Sequence, residues 1–174
     1  LEDGPVCLIC GCIHGDELNG FEIIRRVVDL LQPDKLKGTV VAAPIVNVFG
    51  FLHESRYLPD RRDLNRVFPG RKRGSQASRL AYDFFHAVVE KCDLGIDLHT
   101  GPLGRYNLPQ ARGDFENDEL MDLARAFGAP VMFHSRPGKG TIRRAARDAG
   151  IPMLLYEGGE AMRFDRESIN IGVD

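Results

Sequence analysis

The chain has 174 residues, 43% of them hydrophobic, and its 23 basic and 25 acidic side chains give a formal net charge of −2. This length and composition indicate one globular domain with a hydrophobic core rather than a disordered chain. The balanced charge gives no reason to expect nucleic acid or an anionic membrane as a partner, and no apolar run reaches the roughly 18 residues that a membrane helix needs.

Predicted strands and helices alternate along the chain. Residues 5–12, PVCLICGC, are almost wholly apolar and predict a strand buried on both faces. The other predicted elements are a helix at 17–31, a buried strand at 38–46, a helix at 75–92, a strand at 93–99, a helix at 116–128, a strand at 129–134, a helix at 140–150, a strand at 151–159 and a helix from about 165. Residues 47–74 and 100–115 are predicted loops. The alternation indicates an α/β fold in three layers, with a mostly parallel or mixed central sheet and helices on both faces.

Three cysteines, Cys7, Cys10 and Cys12, lie in the first predicted strand, and Cys92 is distant in the sequence. Strand residues two apart share a face but diverge, and residues three apart point to opposite faces, so these cysteines cannot easily pair with one another. A Cys-x-x-Cys redox motif normally opens a helix, where the helix dipole lowers a thiol pKa. We therefore expect buried, reduced and unreactive thiols, which suggest a cytoplasmic protein.

Polar side chains follow the first and third predicted strands at the points where those strands end. His14 and Glu17 lie in HGDE, after the first strand, and His99 lies in DLHTG, at the tip of the third. Sites in α/β sheets gather at strand ends. Two imidazole nitrogens and one carboxylate form a three-ligand set that suits zinc and leaves a fourth position for water. His-x-x-Glu is a weak signal by itself, and a purely structural role stays open for it here.

Two more motifs carry candidate substrate and catalytic residues. In DLNRVFPG, Asn65 and Arg66 can together hold a carboxylate, because the guanidinium fork matches its two oxygens. The alternative for Arg66 is a solvated surface charge. In YEGG, Glu157 follows a buried strand, where a carboxylate is expected to be paired or functional. It can act as the base for water at a metal, or form a structural salt bridge.

Taken in order, HGDE, DLNRVFPG, DLHTG and YEGGE resemble the motifs of the succinylglutamate desuccinylase/aspartoacylase family, deacylases with a zinc-carboxypeptidase-like fold. The resemblance runs from about Pro5 to Asp174. It implies that residues 1–174 form a single catalytic domain. Family members usually have strands before the first motif and a smaller β domain after the catalytic one, so we expect this chain to be the core fragment of a longer protein.

The resemblance also implies a metal site. His14, Glu17 and His99 would bind one zinc ion per chain. Asp63 and Asp97 would support the ligands rather than bind the metal themselves.

The remaining matched residues would act on the substrate. Glu157 would be the general base and later the acid that protonates the leaving amine. Arg56, in SRYLPD, would polarise the scissile carbonyl and stabilise the oxyanion. Asn65 and Arg66 would hold the substrate carboxylate.

The leading hypothesis is therefore a zinc-dependent hydrolase that cleaves the amide bond of an N-acyl amino acid or a related small acid. A metallocarboxypeptidase would use the same residues, with Arg66 on a peptide C-terminus. Two further hypotheses are a non-catalytic zinc- or small-acid-binding module and a thiol redox protein that uses Cys7 and Cys10. We expect a small-molecule N-acyl substrate as the partner, without nucleic acid or membrane, and a homo-oligomer is compatible with the sequence.

The remaining histidines have no metal-like partner in the sequence. We expect His53 and His86 to be surface or helix residues, and we consider His134, at a strand tip, a candidate substrate contact.

Overall fold

A computed structural model describes residues 2–174, which form one six-stranded sheet and six α-helices. The strands are β1 (Glu2–Gly11), β2 (Lys37–Ala43), β3 (Leu94–Gly101), β4 (Asn107–Gly113), β5 (Val131–His134) and β6 (Met153–Glu160). The helices are α1 (Asn19–Leu30), α2 (Val48–Leu52), α3 (Gln76–Ala87), α4 (Asp118–Phe127), α5 (Ile142–Asp148) and α6 (Arg166–Val173). Short 3₁₀ turns lie at Leu64–Arg66 and Val89–Lys91.

The strands are ordered β2-β1-β3-β6-β4-β5 across the sheet. Every neighbouring pair is parallel except β4 and β6, which are antiparallel. Because β1, β3 and β6 are adjacent and parallel, their carboxyl ends lie at one edge of the sheet. His99 on β3 is directly in register with Glu157 on β6, so these two side chains leave the same face side by side.

Helices cover both faces of the sheet, which confirms the predicted three-layer α/β fold. On one face, α3 and α5 bury Phe85 and Ile142 against Leu8 of β1. On the other face, α1 and α6 bury Ile24 and Ile169 against β3 and β6, and α4 adds a smaller cluster beside them. Alternate residues of β1 point to opposite layers, as the pleat of a strand requires.

The structure corrects the prediction that residues 100–115 are a loop, because β4 occupies the second half of that segment. Its sequence, NLPQARG, contains Pro109 and only two apolar side chains, Leu108 and Ala111, that would suggest a strand. Proline within a short run normally argues against a strand. The strand forms because it pairs with both β6 and β5, and these contacts come from distant parts of the chain.

Two further predictions need correction. The strand at 38–46 is not buried: β2 is the edge strand next to β1, and its residues alternate between exposed and half-buried. The predicted helix at 75–92 ends at Ala87, because Val88 leaves helical geometry with φ −120° and a 3₁₀ turn follows. No helix within residues 2–174 is both long and apolar enough to cross a membrane.

Candidate metal centre and substrate cavity

The turn after β1 brings HGDE to the edge of the sheet. Cys12 has a positive φ of 49°, an uncommon backbone conformation for a residue with a side chain, and its carbonyl oxygen accepts a hydrogen bond from Asn47 N at 2.9 Å. Gly15 lies so close to α2 that a Cβ atom there would be 2.0 Å from the carbonyl carbon of Gly50. This tight turn fixes the path of the chain between the strand and His14.

Three buried side chains from two strand ends meet at one point. His14 Nδ1 lies 2.7 Å from Glu17 Oε1, and His99 Nδ1 lies 2.7 Å from Glu17 Oε2. Both histidines and Glu17 are at most 4% exposed. Each of the three offers an atom that lies within 4.8 Å of the other two, so one metal ion can contact all three.

The far nitrogen of each histidine is held by an aspartate. His14 Nε2 lies 3.1 Å from Asp63 Oδ1, and His99 Nε2 lies 2.9 Å from Asp97 Oδ2. A histidine that binds a metal usually donates its other ring N–H to a carboxylate, which fixes the ring and its tautomer. The donor set therefore fits a zinc ion, with both Nδ1 atoms and the Glu17 carboxylate directed at the same point.

The charges in this cluster shift the pKa values of its members. Burial alone would lower the pKa of His14 and His99 and raise that of Glu17, since it disfavours the charged forms. The facing carboxylates more than offset burial and raise the pKa of both histidines, and the two imidazoles lower the pKa of Glu17. The carboxylates around the two imidazoles thus favour positive charge at this point, and a metal ion that binds there displaces the imidazole protons.

Arg56 lies in this network. Its NH1 donates to Glu17 Oε1 at 2.9 Å and its NH2 donates to Asp63 Oδ2 at 3.1 Å. The backbone N–H of Thr100 donates to the other Glu17 oxygen at 3.1 Å. The structure therefore brings Arg56 to the candidate metal ligands, with its guanidinium bridging a ligand and a supporting aspartate.

A cavity of about 410 Å³ opens beside the cluster. All seven residues proposed from the sequence as ligands, catalytic groups or substrate contacts line it: His14, Glu17, Arg56, Asn65, Arg66, His99 and Glu157. Asn65 Oδ1 accepts a hydrogen bond from Ile142 N at 2.9 Å, which leaves the NH₂ group of the same amide for a ligand. Arg66 NH1 donates to the carbonyl oxygen of Asn65 at 2.8 Å.

Glu157 faces β4 in this structure. Asn107 Nδ2 donates to its Oε2 at 2.5 Å, and Arg112 NH2 lies 3.2 Å from the same oxygen. Both partners come from the strand that the sequence analysis missed. Their polar side chains gave no signal in the sequence, because only the antiparallel pairing of β4 with β6 places them next to Glu157.

Arg143, at the start of α5, is a further cavity residue that the sequence analysis missed. Burial lowers the pKa of its guanidinium, and the carboxylates of Asp97 and Glu157 partly oppose that shift. Within residues 2–174 its one hydrogen bond is to the carbonyl oxygen of Arg112, at 3.4 Å. A half-buried guanidinium with so few hydrogen-bond partners is well suited to bind an anion.

The other histidines lie away from the cavity lining. His53 is exposed at the end of α2, and His86 pairs with Glu90 at 2.7 Å on the surface. His134 is on the edge strand β5, where its Nδ1 accepts a hydrogen bond from Phe115 N at 3.2 Å.

Two cysteines, one at the end of β1 and one just after it, lie next to the metal side of the cavity. Cys10 and Cys12 are fully buried, and the Cys10 thiol donates to Asp97 Oδ1 at 3.6 Å. Burial raises the pKa of Cys12 to about 12 and raises the pKa of Cys7 and Cys10 as well. These thiols therefore lack the depressed pKa that a redox-active cysteine needs.

Residues 3–173 match the family model of the succinylglutamate desuccinylase/aspartoacylase catalytic domain. Among curated proteins, the chain is 31% identical to N-alpha-acetyl-L-2,4-diaminobutyric acid deacetylase of Halomonas elongata, over 99% of this chain and 54% of that protein. It is 27% identical to succinylglutamate desuccinylase of Pseudomonas paraeruginosa, over 98% of this chain and 55% of that protein. The chain thus spans about half the length of the curated relatives it matches.

Solved structures of related proteins have the same fold as this chain. The chain superimposes with a TM-score of 0.90 on a succinylglutamate desuccinylase/aspartoacylase from Rhodobacter sphaeroides, at 29% identity over 99% of this chain and 53% of that one. The product-bound ectoine utilisation protein EutE (DoeB) from Ruegeria pomeroyi also gives a TM-score of 0.90, at 26% identity over 99% of this chain and 55% of that one. These similarities confirm the predicted zinc-carboxypeptidase-like fold.

Proposed function

Because this chain belongs to the succinylglutamate desuccinylase/aspartoacylase family, we propose that it is a zinc-dependent hydrolase that cleaves the amide bond of an N-acyl amino acid or a related small acid. One observation carries the proposal. Two imidazoles and a carboxylate converge with their outer nitrogens fixed by aspartates, beside a cavity lined by arginines.

The metal ligands in this proposal are His14, Glu17 and His99, which hold one zinc ion per chain. Asp63 and Asp97 orient the two imidazoles, so that each Nδ1 is directed at the Glu17 carboxylate. When bound, zinc supplies Lewis acidity that brings the pKa of a coordinated water to roughly 7.

Glu157 is the proposed general base, which takes a proton from the attacking water and later gives it to the leaving amine. It lines the same cavity as the metal ligands and leaves the sheet beside His99. Asn107 and Arg112 hold its carboxylate from β4 and keep it at the cavity wall. A positioned acid–base group needs this kind of support to act on a single substrate pose.

Arg56 is the proposed stabiliser of the oxyanion. Its guanidinium lines the cavity and is fixed by two carboxylates, so it needs little reorganisation when negative charge develops on the substrate.

The substrate carboxylate is the proposed ligand of Asn65 and Arg66, and we add Arg143 to this group. The free NH₂ of Asn65 and the two guanidinium groups line one cavity and can hold both oxygens of an acid. The deacetylase and the desuccinylase among the relatives are named for N-acyl amino acids, which fits a cavity that attracts acids.

We further propose that the chain is the catalytic domain of its protein and that the protein is cytoplasmic. The cytoplasmic location is supported by the four cysteines, which form no disulfide within residues 2–174. Thiols in the cytoplasm are kept reduced.

The direct test combines metal analysis with a substrate panel. Zinc is quantified in the purified chain, and hydrolysis is measured for N-acetyl and N-succinyl amino acids and for short peptides with a free C-terminus. We expect one zinc per chain and release of the free amino acid from N-acyl substrates. Faster release of C-terminal residues from the peptides would favour the metallocarboxypeptidase. Binding of N-acyl amino acids by the zinc-loaded chain without turnover would favour a non-catalytic binding module.

A further inference from the structure

A second cavity, of about 660 Å³, lies on the other side of Arg66 from the candidate metal centre. We call it the basic pocket, and its cationic residues are Arg62, Arg66, Arg71, Arg73 and Lys139. No aspartate or glutamate lines it. For a chain with a net charge of −2, this is a strong local excess of positive charge.

The cations of the basic pocket are poorly neutralised by the protein itself. Arg71, Arg73 and Lys139 have no ion pair with any residue from 2 to 174, and Arg62 only approaches Asp60 at 3.9 Å. Exposed arginines elsewhere differ among themselves: Arg25 lies 2.8 Å from Glu22 and Arg136 lies 2.6 Å from Glu116, whereas Arg79 and Arg166 have no ion pair within residues 2–174 either. The basic pocket is distinguished by its five cations lining one cavity. Like charges that lie together without acidic partners give the pocket a positive potential, which attracts anions.

The pocket also has the shape and the neutral donors of a binding site. Its floor includes the buried Phe68, and an apolar floor strengthens electrostatic attraction above it. Ser75 and Ser78, at the start of α3, contribute hydroxyl groups to its wall. Ser75 Oγ accepts from Ser78 N at 3.2 Å, which leaves its own proton to donate to a ligand.

We propose that the basic pocket binds a small molecule carrying a phosphate group, at a site separate from the acyl amino acid. Guanidinium groups combined with hydroxyl donors match the several oxygens and the double charge of a phosphate better than they match a single carboxylate. The inference does not depend on the proposed deacylase activity.

The two cavities share a wall. Arg66 lines both, and the segment before α5 contributes Thr141 to the metal side and Lys139 and Gly140 to the basic pocket. The backbone here is tight, because a Cβ atom on Gly140 would lie 2.2 Å from the Arg66 carbonyl oxygen. Arg66 is therefore common to both cavities.

Binding is tested with inorganic pyrophosphate and inorganic phosphate as probes, by calorimetric titration of the purified chain with its zinc content checked before and after. The test variant is Arg71→Gln/Arg73→Gln, which removes two exposed charges and leaves Arg66 intact. The control is Arg25→Gln/Arg125→Gln, which removes the same charge from two exposed helix positions. Circular dichroism and thermal melting confirm that both variants fold.

We expect wild type to bind pyrophosphate with a Kd below about 1 mM, the test variant to bind at least about tenfold more weakly, and the control to stay within about twofold. Equal affinity of wild type and test variant would overturn the proposal, because the probe would then bind somewhere other than the basic pocket. Absence of pyrophosphate binding by wild type would overturn it too. A short DNA duplex is the third probe, and tighter binding of the duplex than of pyrophosphate would replace the small-molecule site by a nucleic-acid surface.

Discussion

The cavity beside the candidate metal centre has a metal side and a substrate side, and the two are built in opposite ways. On the metal side, His14, Glu17 and His99 are buried, and each ring nitrogen and carboxylate oxygen has a partner between 2.7 and 3.1 Å away. On the substrate side, the guanidinium groups of Arg66 and Arg143 donate hydrogen bonds only to backbone carbonyl oxygens within residues 2–174.

The difference shows which part of the site is complete before a substrate arrives. The two imidazoles are held by hydrogen bonds to aspartates, and moving them would break those bonds. The metal side is therefore preorganised for one cation. Guanidinium groups that no carboxylate holds by a hydrogen bond can still donate to a ligand, so the substrate side is prepared for an anion. If this contrast is correct, changes on the metal side remove the metal, and changes on the substrate side leave the metal in place and alter kinetics.

The largest expected effect is loss of the metal. His99→Ala removes one of three ligands from a buried cluster, so we expect the purified variant to contain little zinc and to have no measurable hydrolase activity. Elemental analysis of the preparation checks this. His86→Ala is the matched control, since His86 pairs with Glu90 on the surface. Full zinc content in His99→Ala would mean that the ligand set is wrong.

The next largest effect is expected on kcat, with the zinc content unchanged. Glu157→Gln keeps the shape of the side chain but cannot accept a proton, so we expect kcat to fall by about 10² to 10⁴ with zinc retained. Steady-state kinetics and zinc analysis on one preparation measure both. Glu160→Gln is the control on the same strand, since Glu160 accepts a hydrogen bond from Gly104 N at 2.7 Å. Near-normal kcat in Glu157→Gln would refute the mechanism, and lost zinc would make Glu157 a ligand.

Arg66 tests the substrate side directly. Arg66→Ala should lower kcat/KM for an acidic N-acyl substrate by roughly 10- to 100-fold with zinc unchanged, because a charge-assisted hydrogen bond is lost. Arg66→Lys should restore only part of this, since an ammonium group cannot form the two-pronged contact. Arg79→Ala, an exposed position on α3, serves as the control. Equal kcat/KM for wild type and Arg66→Ala would exclude the carboxylate role.

Asp97 tests how far the metal side depends on its supports. Asp97→Asn keeps an oxygen that can accept from His99 Nε2 but removes the charge, so we expect zinc affinity to fall by about 10- to 100-fold. Competition with a chelator of known affinity measures the change. An unchanged zinc affinity would show that the aspartate packs beside the ligand without tuning it.

The smallest effect is expected at the thiols. Because burial raises the pKa of Cys10 and Cys12, both should resist iodoacetamide in the folded protein at about pH 8 and react after denaturation. Mass spectrometry of the two samples gives the result. Rapid labelling of Cys10 in the folded protein would revive the thiol redox hypothesis.

The sequence by itself determined the parts of this site that depend on local pattern. Apolar runs followed by polar tips located β1, β3 and β6, and sites in α/β sheets gather at strand ends. His14, Glu17, His99 and Glu157 could therefore be named as candidates from the sequence, and the resemblance of the four ordered motifs to one family implied that they form one site. Strand and helix types were also predictable where the hydrophobic period was clear, as in α1 and β6.

Only the tertiary structure decided what surrounds those residues. β4 lacks a strand-like sequence and forms through its pairing with β5 and β6, so Asn107 and Arg112 reach Glu157 through contacts between distant segments. Arg143 is an ordinary helix arginine in the sequence, and it becomes a cavity residue because α5 packs across that face of the sheet. The basic pocket also depends on tertiary structure, since Lys139 lies beside Arg71 and Arg73 although it is distant from them in the sequence. Sequence patterns report local conformation and burial, whereas electrostatic partners are chosen by which surfaces the folded chain brings together.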